Sequence, residues 1–169
     1  MTFRKMSLLL IAVIAAHNFE EWLTFPHFGE IMSLVAAKIG IQSSAPPPPW
    51  PVTQMALLLV TVIPALTILW ASSRRASAVK SWAICWTASV FLANVFVPHI
   101  PASLILGGYS PGVLTAVLVN LPFCTLLLMK ARSEGLLSGL QITIAVITGL
   151  VSLPVALITV FAIARALVV

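Results

Sequence analysis

The chain contains no aspartate, and only four of its 169 residues are acidic. Lys and Arg add nine more charges, so charged residues make up 8 % of the sequence, where a soluble domain carries about 25 %. A water-facing surface cannot be assembled from so little charge, which excludes an ordinary soluble fold. Cysteine is scarce as well: Cys85 and Cys124 lie far apart in apolar stretches. They form no metal-binding spacing and read as reduced packing residues. No Gly-rich phosphate loop and no nucleophilic Ser or Cys elbow occurs. The net charge of +5 is not gathered into a basic run interleaved with aromatics, so nucleic acid is not an expected partner.

What is present is hydrophobic sequence, 60 % of the whole. It predicts an all-α, polytopic transmembrane bundle forming one integral membrane domain over residues 1–169. Five stretches are long enough to cross a bilayer as helix, which takes about 20 residues. They cover roughly 6–25, 52–71, 81–97, 111–129 and 136–165. Pro64 predicts a kink in the second, and Pro154 an interruption of the fifth. The basic residues stand at segment edges: Arg4 and Lys5, then Arg74, Arg75 and Lys80, then Lys130 and Arg132. By the positive-inside rule this pattern puts the N-terminus in the cytoplasm and the 26–51 connection outside, in the cell (inner) membrane of a multi-pass protein. Arg165 is a weak counter-signal. Arg4-Lys5 followed by an apolar run and Ala15-Ala16 also resembles a signal peptide, but the apolar character continues through Trp22-Leu23, which favours a first span.

Within the outer connection, Ile31 to Ile41 is too short to span and reads as an interfacial helix. Ala45 to Pro51 reads as a polyproline II spacer, with Trp50 anchoring it at the interface. His27 belongs at headgroup level.

Half of the acidic residues sit inside the first apolar stretch, in His17-Asn18-Phe19-Glu20-Glu21-Trp22. A carboxylate at the bilayer centre costs at least ~2.5–3.5 kcal/mol on insertion scales, so such residues are generally inward-facing and functional. On a helix His17 shares a face with Glu20 and Glu21, at i+3 and i+4. The later spans add Asn94, His99, Tyr109 and Asn120, mostly in the outer half. The sequence therefore predicts one outer-half site. His17, Glu20, Glu21 and His99 are its candidate metal ligands, and His17, Glu20 and Glu21 its candidate acid/base groups. Tyr109, Asn94 and Asn120 are candidates for contacting substrate. Two histidines and two carboxylates match zinc, iron or manganese.

His17-Asn18-Phe19-Glu20-Glu21-Trp22, the Asn94 and His99 pair and Tyr109-Ser110-Pro111-Gly112, in that order, resemble the HXXEE-domain proteins. These are small, mostly uncharacterised bacterial polytopic membrane proteins. The resemblance spans roughly Met6 to Met129. It implies a shared intramembrane site at His17, Glu20, Glu21, His99 and Tyr109, and supplies no activity.

The leading functional expectation is a metal-binding or acid/base enzyme acting on a lipophilic small molecule reached from the bilayer. One alternative is a proton-coupled small-molecule transporter. Five spans cannot divide into two equal halves, so that alternative calls for a homo-oligomer. The other is a non-catalytic membrane subunit whose buried polar groups only specify packing.

Overall fold

A computed structural model describes residues 1–27, 31–38, 40, 47–73 and 77–168. Among these the chain is helical and contains no strand. Six helices follow one another: α1 (Phe3–Thr24), α2 (Ile31–Lys38), α3 (Trp50–Ala71), α4 (Ala78–Leu106), α5 (Val113–Ser133) and α6 (Gly139–Val168). All but α2 are long and apolar enough to cross a membrane, as a multi-pass membrane protein requires. Their large apolar side chains divide into two sets. Leu10, Ile14, Ile68 and Leu127 are fully buried, with Cys85, Ala88 and Cys124 between them, whereas Leu66, Leu118, Val151 and Ile158 are exposed. That pattern buries small and branched residues between helices and turns the rest toward lipid.

Polar contacts fix the helices relative to one another where the apolar surface cannot. At the α1 N-terminus, the Phe3 amide donates to Glu134 Oε1 at 3.0 Å, so a carboxylate from the end of α5 satisfies an orphan donor of α1. Lys130 pairs with Glu134 at 3.3 Å, and Arg4 Nε donates to the Ser72 carbonyl at the end of α3. Midway along α1, Asn18 Nδ2 donates to Thr61 Oγ1 of α3 at 2.7 Å. Both cysteines are free thiols in the core, as expected.

The helix ends depart from the sequence reading in three places. The third span does not stop at Val97. Val97 leaves helical geometry (φ −147°, ψ 106°) because the ring of Pro98 crowds the residue before it. The helix then resumes and continues to Leu106, where Gly107 closes it in the left-handed region (φ 69°). Pro154 does not interrupt α6, which runs unbroken through it, and α3 likewise continues through Pro64; membrane helices tolerate proline when neighbours satisfy the freed carbonyl. Trp50 and Pro51 form the first turn of α3 rather than the end of an extended spacer, since proline suits a first turn. Pro49 keeps the expected extended geometry (φ −54°, ψ 145°).

The interfacial stretch forms a helix over Ile31–Lys38, and Lys38 Nζ donates to the Ile105 carbonyl of α4. Ile41, Ala45, Pro46, Arg74 and Arg75, on which other expectations rested, lie outside the described residues, as does the side chain of His27.

Helices α4 and α6 approach closely at Gly149. A Cβ there would lie 2.7 Å from Ser89 Cβ and 2.9 Å from the Ser89 carbonyl carbon. Gly149→Ala is therefore expected to destabilise the bundle by about 1–3 kcal/mol through overpacking. Gly139→Ala, where the nearest atom is 3.7 Å away, should change stability by no more than about 0.5 kcal/mol. Thermal unfolding of both variants in detergent measures the difference.

Candidate functional site

The site forms where α1, the broken part of α4 and the start of α5 meet. His17 and Glu21 lie one helical turn apart on α1, so their side chains leave the same face. His99 reaches them from α4, and only because that helix is broken. Five residues of regular helix would turn Asn94 and His99 about 140° apart. The irregular segment Val95–His99 instead brings Asn94 Nδ2 to 2.9 Å from His99 Nε2. The two imidazoles meet edge to face with centroids 4.8 Å apart. His17, Asn94 and His99 thus join two helices through side chains alone.

The proton positions in this cluster follow from one carbonyl. His99 Nδ1 lies 2.9 Å from the Pro111 carbonyl oxygen, which can only accept, so Nδ1 carries the hydrogen. A neutral imidazole has one N–H, so His99 Nε2 presents a lone pair. Asn94 must then turn its NH2 group toward it. The same NH2 nitrogen lies 3.1 Å from His17 Nε2, which therefore also accepts. His17 carries its hydrogen on Nδ1 and donates it to Thr115 Oγ1 at 2.9 Å. Two imidazole lone pairs thus face one point, held there by the two hydrogens of a single amide.

Glu21 completes the group. Its Oε1 is 3.5 Å from His99 Nε2, and one ligand atom each from His17, Glu21 and His99 lie within 4.8 Å of one another. His17 is fully buried and His99 nearly so, whereas the Glu21 side chain keeps 13 % of its exposure, so the cluster opens on the Glu21 side. Glu21 Oε1 and His99 Nε2 are both acceptors. At that spacing they call for a proton or a cation between them.

Glu20, expected beside Glu21 among the ligands, has a different place. Its Oε1 accepts from the Tyr109 hydroxyl at 2.6 Å and the Leu114 amide at 3.3 Å. Its Oε2 accepts from the Thr115 amide at 2.8 Å and the Thr115 hydroxyl at 2.5 Å. Four donors are the full acceptor capacity of a carboxylate. Leu114 and Thr115 are the second and third residues of α5, whose N-cap is Gly112 and has no side chain to offer. Glu20 therefore caps α5 from another helix, with its charge at the positive end of the dipole. Its carboxylate stands outside the cluster of His17, Glu21 and His99. The phenol of Tyr109, in the connection before α5, is pushed above its ordinary value by burial and then by donation to Glu20.

Asn120, expected to contact substrate, is fully buried in an irregular turn of α5, Ala116–Asn120, and neither of its amide atoms has a hydrogen-bond partner among the described residues. The sequence reading passed over Thr115 and gave Pro111-Gly112 a place in the family's motif and at the start of a helix, with no part in the site. In the structure Pro111 precedes α5 and supplies the carbonyl that orients His99, while Gly112 touches every member of the cluster. A Cβ on Gly112 would lie 2.7 Å from His99 Cε1, 2.8 Å from Glu21 Cγ and 3.0 Å from His17 Cε1. A glycine with no capping side chain, followed three residues later by threonine, was the signal in the sequence.

A family described as proteins of unknown function with an HXXEE motif matches residues 8–127. The chain belongs to this family. The HXXEE match runs from early in α1 into α5 and so includes every side chain of the cluster. No curated protein and no solved structure matches the chain.

Gly112→Ala is expected to break the HXXEE cluster, since the residue has φ 79°, a conformation that costs an L-residue about 1–2 kcal/mol, and no free space around it. 15N-histidine NMR spectra should show both His17 and His99 displaced. Gly108→Ala, with nothing within 4 Å and no positive φ, should leave both signals in place.

Proposed function

We propose that this protein is a membrane-embedded metalloenzyme that holds one divalent cation on His17, His99 and Glu21 and acts on a lipophilic small molecule. The N-terminus is cytoplasmic and the site lies in the outer half of the cell membrane, following the distribution of basic residues. One observation carries the reading: three acceptors converge, two imidazole lone pairs and a carboxylate oxygen, within 4.8 Å. A proton can bridge one pair of them, whereas a cation satisfies all three.

The spacing supports the reading in a particular way. Ligand atoms around a tetrahedral ion, at about 2.0–2.2 Å from it, stand roughly 3.3–3.5 Å apart. The Glu21 to His99 separation of 3.5 Å already fits. The Asn94 nitrogen stands 3.1 and 2.9 Å from the two histidines, and hydrogen bonds of that length hold the imidazoles wider than metal bonds would. Asn94 is thus the group that a cation displaces, and small inward movements of two rings complete the site. Two imidazoles and one carboxylate suit zinc, and equally iron or manganese with open positions. The cation would polarise a carbonyl or activate a water. The substrate is lipophilic because the segments that form the site expose large apolar side chains, among them Phe19, Trp22 and Leu23 of α1, Phe96 and Val97 of α4, and Leu114 of α5.

Metal analysis of detergent-purified protein tests this directly. After stripping and reloading with zinc, iron(II) or manganese in turn, the wild type should retain one ion per chain for at least one metal. His17→Ala, His99→Ala and Glu21→Gln should each retain none. Glu20→Gln should still reach full occupancy at saturating metal. A wild-type protein that holds none of the three ions would end the metal reading.

A further inference from the structure

The tautomer of His17 is held from two sides. On the inside, Asn94 donates to Nε2; on the outside, Nδ1 meets Thr115 Oγ1, and the Gly112 carbonyl is a lesser acceptor for the same ring, so that retention of Nδ1–H without the Thr115 hydroxyl would assign the hold to that carbonyl. A hydroxyl can donate or accept, so the outer contact by itself does not decide which nitrogen bears the hydrogen. Its other partners do. Thr115 Oγ1 has Glu20 Oε2 at 2.5 Å and the Gly112 carbonyl at 3.3 Å, and both oxygens act only as acceptors. The one hydroxyl hydrogen is committed to them, and what remains for His17 is a lone pair.

We infer that Glu20 and Thr115 together form an outer lock that keeps the hydrogen of His17 on Nδ1 once Asn94 has moved aside, so that Nε2 stays open for a ligand. Both are positioning residues acting through His17. The inference rests on the metal reading for its purpose, though the tautomer itself does not depend on any metal. It assigns the first glutamate of the motif a task that its capping of α5 alone does not require. A carboxylate oriented by two α5 amides receives the Thr115 hydroxyl on the same oxygen that accepts the Thr115 amide. The register of the α5 N-terminus and the tautomer of His17 are therefore fixed by one group. His99 has a separate lock, the Pro111 carbonyl, which no side-chain substitution removes.

The test uses the full-length protein with 15N-labelled histidine, whose nitrogen shifts report the tautomer of each ring. Asn94→Ala removes the inner hold, and His17 should still carry its hydrogen on Nδ1. Asn94→Ala/Thr115→Val removes the hydroxyl while keeping the Thr115 amide on Glu20, and His17 should then shift toward the Nε2–H form. Asn94→Ala/Thr115→Ser should restore Nδ1–H. His99 loses the Asn94 hydrogen bond on Nε2 in these variants but should keep its hydrogen on Nδ1, held by Pro111, and that unchanged tautomer certifies that the site is folded. In the otherwise wild-type chain, Thr115→Val should weaken metal affinity by about 10–100-fold, as loss of a group orienting a histidine ligand does, and Thr115→Ser should recover it. Loss of Nδ1–H in Asn94→Ala alone, or its retention in Asn94→Ala/Thr115→Val, would overturn the inference. Failure of the wild type to hold metal would strike the proposed function instead and leave the tautomer result standing.

Discussion

A hydrogen bond from His99 to a backbone carbonyl organises the rest of the site. Because the Pro111 oxygen only accepts, the His99 hydrogen belongs on Nδ1, the Asn94 amide must present its nitrogen, and His17 must accept on Nε2. Three side chains from two helices are set by a group that belongs to the turn before a third. The turn is in turn held by α5, and α5 by Glu20. The bundle around them supplies what such a chain of bonds needs, namely exclusion of water that would offer each polar atom an alternative partner. Leu10 and Ile14, both fully buried in the apolar core, lie on α1 along the face that carries His17 and belong to that dry interior.

Glutamate is used sparingly, and the use is consistent. Glu134 accepts from the first amide of α1, and Glu20 from the second and third residues of α5. Each closes a helix start whose own cap does not finish the task, and each reaches across from a neighbouring helix. In lipid an unsatisfied amide has no water to turn to, so a cap in trans also fixes how two helices sit against each other. Glu21 differs from both. Among the described residues it caps no helix, and it faces an acceptor, His99 Nε2, rather than a donor. That contrast between adjacent residues of one motif separates the group that supports the architecture from the one that joins the two histidines.

The helical bundle was legible in the sequence because hydrophobic length is a strong signal: five helices fit a membrane where five apolar segments stood. The ends were less legible, and the reason is local. Pro98 reads as a stop, yet it only displaces Val97 before the helix resumes. Pro111 reads as a first turn, yet Gly112 takes the left-handed conformation and delays α5 to Val113. At the site, the i, i+4 spacing of His17 and Glu21 was sufficient to place them together, since regular helix intervenes. Glu20 shares their face, and nothing in the spacing reveals that α5 and the connection before it bring four donors to it. Asn94 and His99 could not have been paired by helical periodicity, because their meeting depends on its failure. Thr115 carries no charge and looks like any hydroxyl in a membrane helix. Its part depends on which two acceptors flank it, and this is tertiary information.

The same geometry explains how a group of side chains close enough to hold a cation can fold without one. Two imidazole lone pairs aimed at one another would repel across a dry gap, and a buried acceptor without a donor costs about 1–3 kcal/mol. The NH2 group of Asn94 removes both costs with one nitrogen and two hydrogens, each directed at a different ring. It does so at hydrogen-bond length, which keeps the rings apart, so the arrangement is preorganised in direction and relaxed in distance. A carboxylate in that position would accept rather than donate and would leave both rings unsatisfied. A lysine would satisfy them but would bring a charge that competes with the cation. An amide is neutral and holds the rings through two ordinary hydrogen bonds. Whatever binds there need only offer the two nitrogens more than those bonds do, and charge-bearing ligands do so readily.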